Sequence, residues 1–198
     1  TLDHEEAEPY VALIRAAAVA GEPEAMRSLA DLMEMGLAES ADASESFWLY
    51  HTAAEAGDVV AARQVGFCYE QGIGVASDPA KAVEWYERAA EGGYPEALVD
   101  LGFLHASRAL GEPDLEAAHR YYDLAAGAGV ARGLYFKAVD FVSGWESQPG
   151  KLDTAIALLE QAASRQSGEA HYALGMLFGN EDFGMVDPER SFAHLLVA

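Results

Sequence analysis

One stretch of the chain decides the fold. Residues 60–94 read VAARQVGFCYEQGIGVASDPAKAVEWYERAAEGGY, which contains two helical patterns joined by a glycine-rich turn. The first pattern spaces its apolar residues three or four apart and stops at Gly72, a residue type that commonly ends helices. The second begins after Asp78-Pro79, because aspartate caps a helix N-terminus and proline fits the first helical position. The stretch therefore predicts a helix–turn–helix unit.

The same unit repeats along the chain. Ala-Ala pairs recur at spacings of 36, 36, 36 and 37 residues, at positions 17–18, 53–54, 89–90, 125–126 and 162–163. A second column keeps the same spacing on the first helix of each unit and reads Leu29-Ala30, Val65-Gly66, Leu101-Gly102, Lys137-Ala138 and Leu174-Gly175. Two columns with one period identify an array of helix pairs. We therefore expect an all-α fold in which small residues let the two helices of a unit approach closely.

The second helices carry further markers. Aspartates that we expect to cap them are Asp42, Asp78, Asp114 and Asp187. Bulky aromatic residues follow the caps, and we predict that they lie in the core: Trp48, Trp85, Tyr86, Tyr121 and Tyr122. Features that recur at the period are typical of packing, so function is expected where the units differ.

These residues carry a resemblance to a known family. The run Gly72-Ile73-Gly74-Val75, followed by Asp78, Lys81-Ala82, Trp85-Tyr86 and Ala89-Ala90, resembles the Sel1-like repeat, a relative of the tetratricopeptide repeat. The unit at 60–94 matches almost throughout, those at 24–58 and 169–198 match well, and those at 96–129 and 131–166 are looser. The resemblance implies an α/α right-handed superhelix, or solenoid, and an adaptor role, often in bacteria. It implies no single enzymatic activity.

We predict a single Sel1-like repeat domain over residues 1–198. It begins with a half unit at 3–21, and units follow at about 22–58, 59–94, 95–130, 131–167 and 168–198. The chain starts at Thr1 rather than Met, so a leader or an upstream domain could have been removed. For a soluble protein, cytoplasmic, periplasmic and secreted locations therefore all stay open, and the sequence does not indicate an oligomeric state.

Composition disfavours several kinds of partner and site. Asp and Glu number 33 against 12 Lys and Arg, and the formal net charge of −21 disfavours binding to nucleic acids and to anionic membranes. No run approaches the roughly 20 apolar residues of a membrane span. Cys68 is the only cysteine, which excludes an internal disulfide and a cysteine-based zinc site, and its apolar column predicts a buried thiol. A protein partner, such as a basic or amphipathic peptide, fits better, and no cofactor or metal is predicted.

The candidate binding site lies on the first helices, which line the concave face in stacks of this kind. The informative column is apolar in four of five units and reads Asp31, Phe67, Phe103, Val139 and Met176. Residues that extend it are Gln64, Asp100, Phe136 and Tyr135. An exposed apolar strip of this kind would bind a helix or an extended peptide. The alternative is that the column is partly buried against the neighbouring unit.

A few residues depart from the repeat. Lys137 and Asp140 replace apolar residues and lie three apart on one helix face, so they could pair with each other. The favoured alternative is that the local register slips or that the lysine reaches solvent along its stem. His105 and His119 stand in core columns and could face each other across a helix pair, either as core histidines or as a metal or pH-sensitive contact without an evident third ligand. Trp145 follows no column and lies in an irregular connection, which is either a contact loop or an insertion.

Three functions are open. The favoured one is a non-catalytic protein–protein interaction scaffold, or adaptor, that binds a peptide or helix in the concave groove. The second is the regulatory or substrate-recruiting region of a larger multidomain enzyme, which the incomplete units at both ends suggest. The third is a hydrolase like those proposed among cysteine-rich relatives of the Sel1 family. The single cysteine and the absence of G-x-S-x-G, H-E-x-x-H and Walker motifs disfavour it.

Overall fold

The computed structural model describes residues 4–38, 42–143, 151–180 and 186–198. Within these ranges the chain forms eleven α-helices and no β-strand. The helices are α1 (His4–Val19), α2 (Pro23–Glu34), α3 (Ala43–Glu55), α4 (Val59–Gln71), α5 (Pro79–Glu91), α6 (Ala97–Ala106), α7 (Leu115–Gly127), α8 (Ala131–Ser143), α9 (Leu152–Ala163), α10 (Gly168–Gly179) and α11 (Pro188–Leu195). None of these described helices is long and apolar enough to cross a membrane.

The helices form two compact units, which are described separately. Unit 1 comprises Thr1–Ala97 and Ala109–Gly111, and unit 2 comprises Leu98–Arg108 and Glu112–Ala198. Helices pack on one another in chain order, α1 to α5 in unit 1 and α7 to α11 in unit 2. The all-α array of helix–turn–helix repeats predicted from the period is therefore confirmed. The single domain over 1–198 stays a prediction.

The predicted caps begin the second helices. The side chains of Asp42, Asp78, Asp114 and Asp187 each accept a hydrogen bond from a first-turn backbone N–H, at distances of 2.9–3.2 Å. Asp58 caps the first helix α4 in the same way, from the N–H groups of its second and third following residues. Each bond satisfies an N–H that has no partner inside the helix, and such caps typically contribute about 1 kcal/mol.

The glycine-rich turn between α4 and α5 is shaped by packing. Gly72 has a φ of 73° and ends α4, where its N–H donates to the Cys68 carbonyl at 2.8 Å. Gly74 has a φ of 68°, and a Cβ at this position would lie 2.0 Å from the carbonyl oxygen of Ala43 at the start of α3. A side chain has no room there. Gly74 is therefore explained by the close approach of the turn to α3, and Gly72 by the left-handed conformation that ends α4. Neither glycine needs a phosphate ligand to explain it.

Within a repeat, a bulky residue of the second helix packs on a small residue of the first. A Cβ added to the glycine would lie 2.3–2.7 Å from the bulky side chain in three pairs: Gly66 with Tyr86, Gly102 with Tyr122, and Gly175 with Leu195. Where the column holds alanine instead, Ala30 and Ala138 are fully buried. The column of small residues thus lets the helices approach closely, as the sequence predicts.

The predicted burial of Trp48 in the core is wrong. Trp48 is 60% exposed, whereas Tyr50 is fully buried. The period of 36 residues aligns Tyr50, not Trp48, with Tyr86, so Trp48 falls on the outward position that Glu84 occupies in the next repeat. The aromatic residues that are buried as predicted are Trp85, Tyr86 and Tyr122, while Tyr121 is half-buried.

We predict that Gly102→Ala destabilises the protein. The new methyl group would lie 2.3 Å from a ring carbon of the buried Tyr122. The free energy of unfolding should therefore fall by about 1–3 kcal/mol, as in overpacked cores. Unfolding in urea, followed by circular dichroism, measures the change.

Gly127→Ala is the matched control. Gly127 also lies in a helix of unit 2, but a Cβ there would meet nothing within 4 Å. Because alanine favours helix over glycine, this substitution should leave stability unchanged or raise it. Equal losses from the two substitutions would contradict the packing explanation.

Candidate functional site on the first helices

The candidate site lies on the first helix of each repeat. We use the name first-helix face for the side of a first helix that carries the predicted column, and describe it separately on α2 and α4 of unit 1 and on α6, α8 and α10 of unit 2. Phe67, Phe103 and Met176 are 39%, 37% and 52% exposed. Asp31 and Val139 are half-buried. The side chains of Phe67, Phe103 and Met176 are therefore in contact with solvent. The ring of Phe103 is also covered in part by Phe136 of the next repeat, so the binding strip and the partly buried column both stay predictions.

In unit 1, Asp31 makes contacts within the fold. Its Oδ1 accepts a hydrogen bond from the Tyr50 hydroxyl at 2.8 Å, and its Oδ2 lies 3.4 Å from an Arg27 guanidinium nitrogen. Arg27 also donates from Nε to Asp58 at 3.0 Å. Burial, together with the hydrogen bond to Asp31, raises the pKa of Tyr50 well above its ordinary value, so the phenol stays protonated and donates. Asp31 thus links α2 to α3, and its contact with a partner remains a prediction.

The rest of the face in unit 1 consists of Gln64 and Phe67 on α4. Gln64 is half-buried, and its amide oxygen accepts a hydrogen bond from Arg63 at 3.3 Å. Phe67 lies three residues further along the helix, so the two side chains share one face. This part of the face therefore offers one exposed aromatic ring beside a polar amide.

In unit 2, the face carries an aromatic cluster from α6, α7 and α8. The half-buried Phe136 ring meets the Phe103 ring edge-on at 4.8 Å and stacks on the Tyr122 ring at 4.7 Å, measured between centroids. The Arg132 guanidinium lies 5.3 Å from the centroid of Phe103. Asp100, three residues before Phe103 on α6, is half-buried. The cluster holds Phe103 in place while leaving part of its ring in contact with water.

An apolar groove lies on α8 and α10 in the same unit. Its volume is about 290 Å³, and the predicted residues Val139, Met176 and Tyr135 all line it. Leu159 of α9, which is 2% exposed, closes the groove from below. We call this feature the α8–α10 groove. It brings together predicted column residues from two successive first helices.

Two further residues of the α8–α10 groove were missed in the sequence. Val142 and Tyr172 line it and are 36% and 57% exposed. Val142 follows Val139 by three residues and Tyr172 precedes Met176 by four, so helical periodicity places each beside a predicted residue. The column of Val142 is charged or small in the other repeats, and the column of Tyr172 holds arginine in the first two, Arg27 and Arg63. That variation hid both residues from a search for an apolar column.

The family is shown by the repeats themselves. The Sel1 repeat profile matches residues 23–58, 59–94, 95–130, 148–167 and 168–198. The chain belongs to the Sel1 repeat family. Residues 131–147, which include α8, fall outside the matched ranges, in the part of the chain where the sequence motif is loosest.

Solved structures share the Sel1 repeat fold. A Sel1 repeat protein from Oxalobacter formigenes is 28% identical, with a TM-score of 0.85 over 96% of this chain and 77% of that protein. A protective antigen of uropathogenic Escherichia coli with an SLR fold is 22% identical, with a TM-score of 0.74 over 94% of this chain and 40% of that antigen. An immunity protein from Pseudomonas aeruginosa is 21% identical, with a TM-score of 0.60 over 79% and 57% of the two chains. The last two show likeness of fold alone. No curated protein matches the sequence.

Two charged residues of the fourth full Sel1 repeat have their partners on α7. The Lys137 ammonium lies 2.7 Å from an Asp123 carboxylate oxygen, and the Asp140 carboxylate accepts a hydrogen bond from Nδ1 of His119. The predicted pairing of Lys137 with Asp140 is therefore wrong. The physical reason is that this face of α8 packs against α7, where partners for both charges are available.

The predicted contact between His105 and His119 is also wrong. His119 bonds to Asp140, whereas His105 stacks on the Tyr121 ring at 5.3 Å between centroids. Among the residues that the structure describes, no group of three or more His, Cys, Asp or Glu side chains is placed to hold a metal ion. Trp145, the other irregular residue of the sequence, lies outside the described residues.

Cys68 is buried in α4, as predicted, and is 2% exposed. Burial and the nearby Glu34 carboxylate raise the pKa of the thiol to about 12. At neutral pH the group is therefore protonated, and the thiolate is the form that reacts as a nucleophile. Cys68 therefore serves as a small packing residue in the core of its Sel1 repeat.

We predict that Cys68 is unreactive in the folded protein. A thiol-specific reagent in mildly alkaline buffer should leave the native chain unmodified over a period in which the chain in concentrated guanidinium chloride reacts completely. Burial and the raised pKa of the thiol are the reasons. Mass spectrometry counts the modified chains. Equal rates in the two solutions would show that the thiol is accessible and contradict its burial.

Proposed function

We propose that the protein is a non-catalytic interaction module whose α8–α10 groove binds an amphipathic helix of a partner protein. The observation that carries the proposal is the groove itself, an apolar surface open to water between two first helices. Contiguous exposed apolar surface is characteristic of binding sites. A groove of this kind receives the apolar face of a helix through side chains spaced three or four residues apart.

The size and lining of the α8–α10 groove support a peptide ligand. Its volume of about 290 Å³ lies at the lower limit of small-molecule pockets, which span about 300–1,000 Å³, and suits a few apolar side chains. Met176 supplies a flexible, polarizable side chain that can adapt to the shape of a ligand. Tyr172 supplies an exposed ring with a hydroxyl group, a combination that is frequent in binding hot spots.

Charge favours a basic partner. The formal net charge of −21 attracts cationic segments and speeds their encounter with the protein. Glu169 lies in the first turn of α10, the helix that also carries Met176. Its carboxylate is 3.7 Å from Arg132, and half of its side chain is exposed. A cationic residue beside the apolar face of the ligand could share this carboxylate. We therefore expect a helix with an apolar stripe flanked by lysine or arginine.

The α8–α10 groove supports binding without catalysis. Apart from two tyrosines and Asn180, the residues that line it are apolar. General acid–base catalysis most often uses histidine or a carboxylate, and the groove lining includes neither. Covalent catalysis needs an activated nucleophile. The thiol of Cys68 does not supply one, because it is buried and its pKa is raised to about 12.

We predict that Met176→Glu weakens peptide binding. Helical peptides selected from a display library on the wild-type protein provide the ligand, and calorimetry measures the affinity of each variant. A carboxylate in the apolar groove should weaken binding at least about tenfold, or about 1.4 kcal/mol, because it would be desolvated on binding.

Leu124→Glu is the matched control, because Leu124 is 58% exposed on α7 and does not line the groove. Its affinity for the peptide should equal that of the wild type, and thermal melts should show both variants folded. A peptide that binds both variants equally would place the binding surface elsewhere. Failure of the library to yield any amphipathic binder would count against the proposal itself.

A further inference from the structure

Two histidines of the last repeat face each other. His171 lies on α10 and His194 on α11, and their Nδ1 atoms are 3.0 Å apart. The ring centroids are 5.2 Å apart and the rings are tilted by 41°. Both side chains are half-buried. The two ring nitrogens therefore point toward one small region between the helices.

The repeat makes this pair exceptional. In the other repeats the column of His171 contains only apolar residues, namely Met26, Ala62, Leu98 and Leu134. The column of His194 contains Leu49, Trp85, Tyr121 and Leu158. Packing at these two positions is thus achieved without histidine elsewhere in the chain. The joint replacement, at two positions that contact each other, points to a use beyond packing.

The surroundings hold the histidine pair in place. The hydroxyl of Ser191 donates to the carbonyl of Gly175 at 2.8 Å and joins α11 to α10. The Phe178 ring stacks beside His194 at 6.0 Å between centroids. The Arg190 guanidinium lies over the Phe178 ring, 3.9 Å from its centroid. Arg190 also donates a hydrogen bond to the Glu160 carboxylate of α9 at 2.6 Å. The positive charge of Arg190 near the histidine pair is therefore partly neutralised by the Glu160 carboxylate.

The distance between the two nitrogens suits a bound metal ion. Zinc–imidazole bonds are about 2.0–2.1 Å long, which places two nitrogens of a tetrahedral site about 3.3 Å apart. The imidazoles would need to separate by only a few tenths of an ångström from their present 3.0 Å. Burial, His171 and Arg190 lower the pKa of His194, which favours the neutral imidazole that a metal requires.

We propose that His171 and His194 form a two-histidine clamp for a late first-row divalent metal ion, such as zinc, nickel or copper. Imidazole nitrogen suits these ions. Among the described residues no group of three ligating side chains is placed to hold an ion, and two imidazoles by themselves give a moderate affinity. A bound ion joins α10 to α11 and stabilises the last repeat, because a ligand that binds only the folded state shifts the unfolding equilibrium. The clamp does not depend on the proposed function of the α8–α10 groove.

The test is a titration of the full, tag-free chain with zinc chloride or nickel chloride alone. Calorimetry should show one ion bound per chain with micromolar affinity, and the same ions should raise the melting temperature. H171L and H194L should each weaken binding at least about tenfold, because each removes one of two ligands. Leucine occupies the same columns at Leu134 and Leu158, so both variants are expected to fold.

H105M is the matched control. His105 is also half-buried in unit 2, but it stacks on Tyr121, and methionine occupies its column at Met33. This variant should bind the ion as the wild type does. Binding that survives in both H171L and H194L would overturn the clamp, and so would a wild-type chain that shows neither heat nor a shift in melting temperature. Either result would leave the pair as a hydrogen-bonded helix contact.

Discussion

The contact between a bulky residue on each second helix and a small residue on the first sets the distance between the two helices of a repeat. Tyr86 occupies the space that a side chain at Gly66 would need, and its ring is fully buried as a result. The same contact recurs between Gly102 and Tyr122, and Leu195 takes the place of the ring at Gly175. Because this contact uses one face of each first helix, another face is left for the apolar column and its surroundings. The repeat thereby creates the candidate binding surface as a consequence of its packing.

Features that could carry function lie where the repeats differ. The α8–α10 groove combines Val139 and Met176 at positions where the first repeat has a carboxylate that is occupied within the fold. Lys137 and Asp140 of α8 have partners on α7, so they contribute to the contact between repeats and leave the groove apolar. The pair of His171 and His194 is a second departure, since both replace apolar residues and contact each other. The α8–α10 groove and the histidine pair are thus two separate places where the residues differ from those that the other repeats use for packing.

Much of the fold could be predicted from the sequence, because helix caps, the small column and the period depend on local rules. Residue type alone suggests that Trp48, an aromatic residue that follows the Asp42 cap, lies in the core, whereas the period puts Tyr50 in the buried position. The partners of Lys137 and Asp140 were not predictable in this way, since they depend on which face of α8 packs against α7. Spacing predicts which residues share one face of a first helix, but the exposure of their side chains depends on distances between helices that a period does not encode.

The most direct measurement of the central packing contact is a double-mutant cycle on Gly66 and Tyr86, with the free energy of unfolding as the readout. Gly66→Ala in the wild-type background should destabilise the protein, because its methyl group would lie 2.7 Å from the Tyr86 ring. In a Tyr86→Ala background the ring is gone, so the same substitution should cost little or become favourable through helix propensity. An equal loss from Gly66→Ala in both backgrounds would show that the ring does not set the distance between α4 and α5, and would contradict this account.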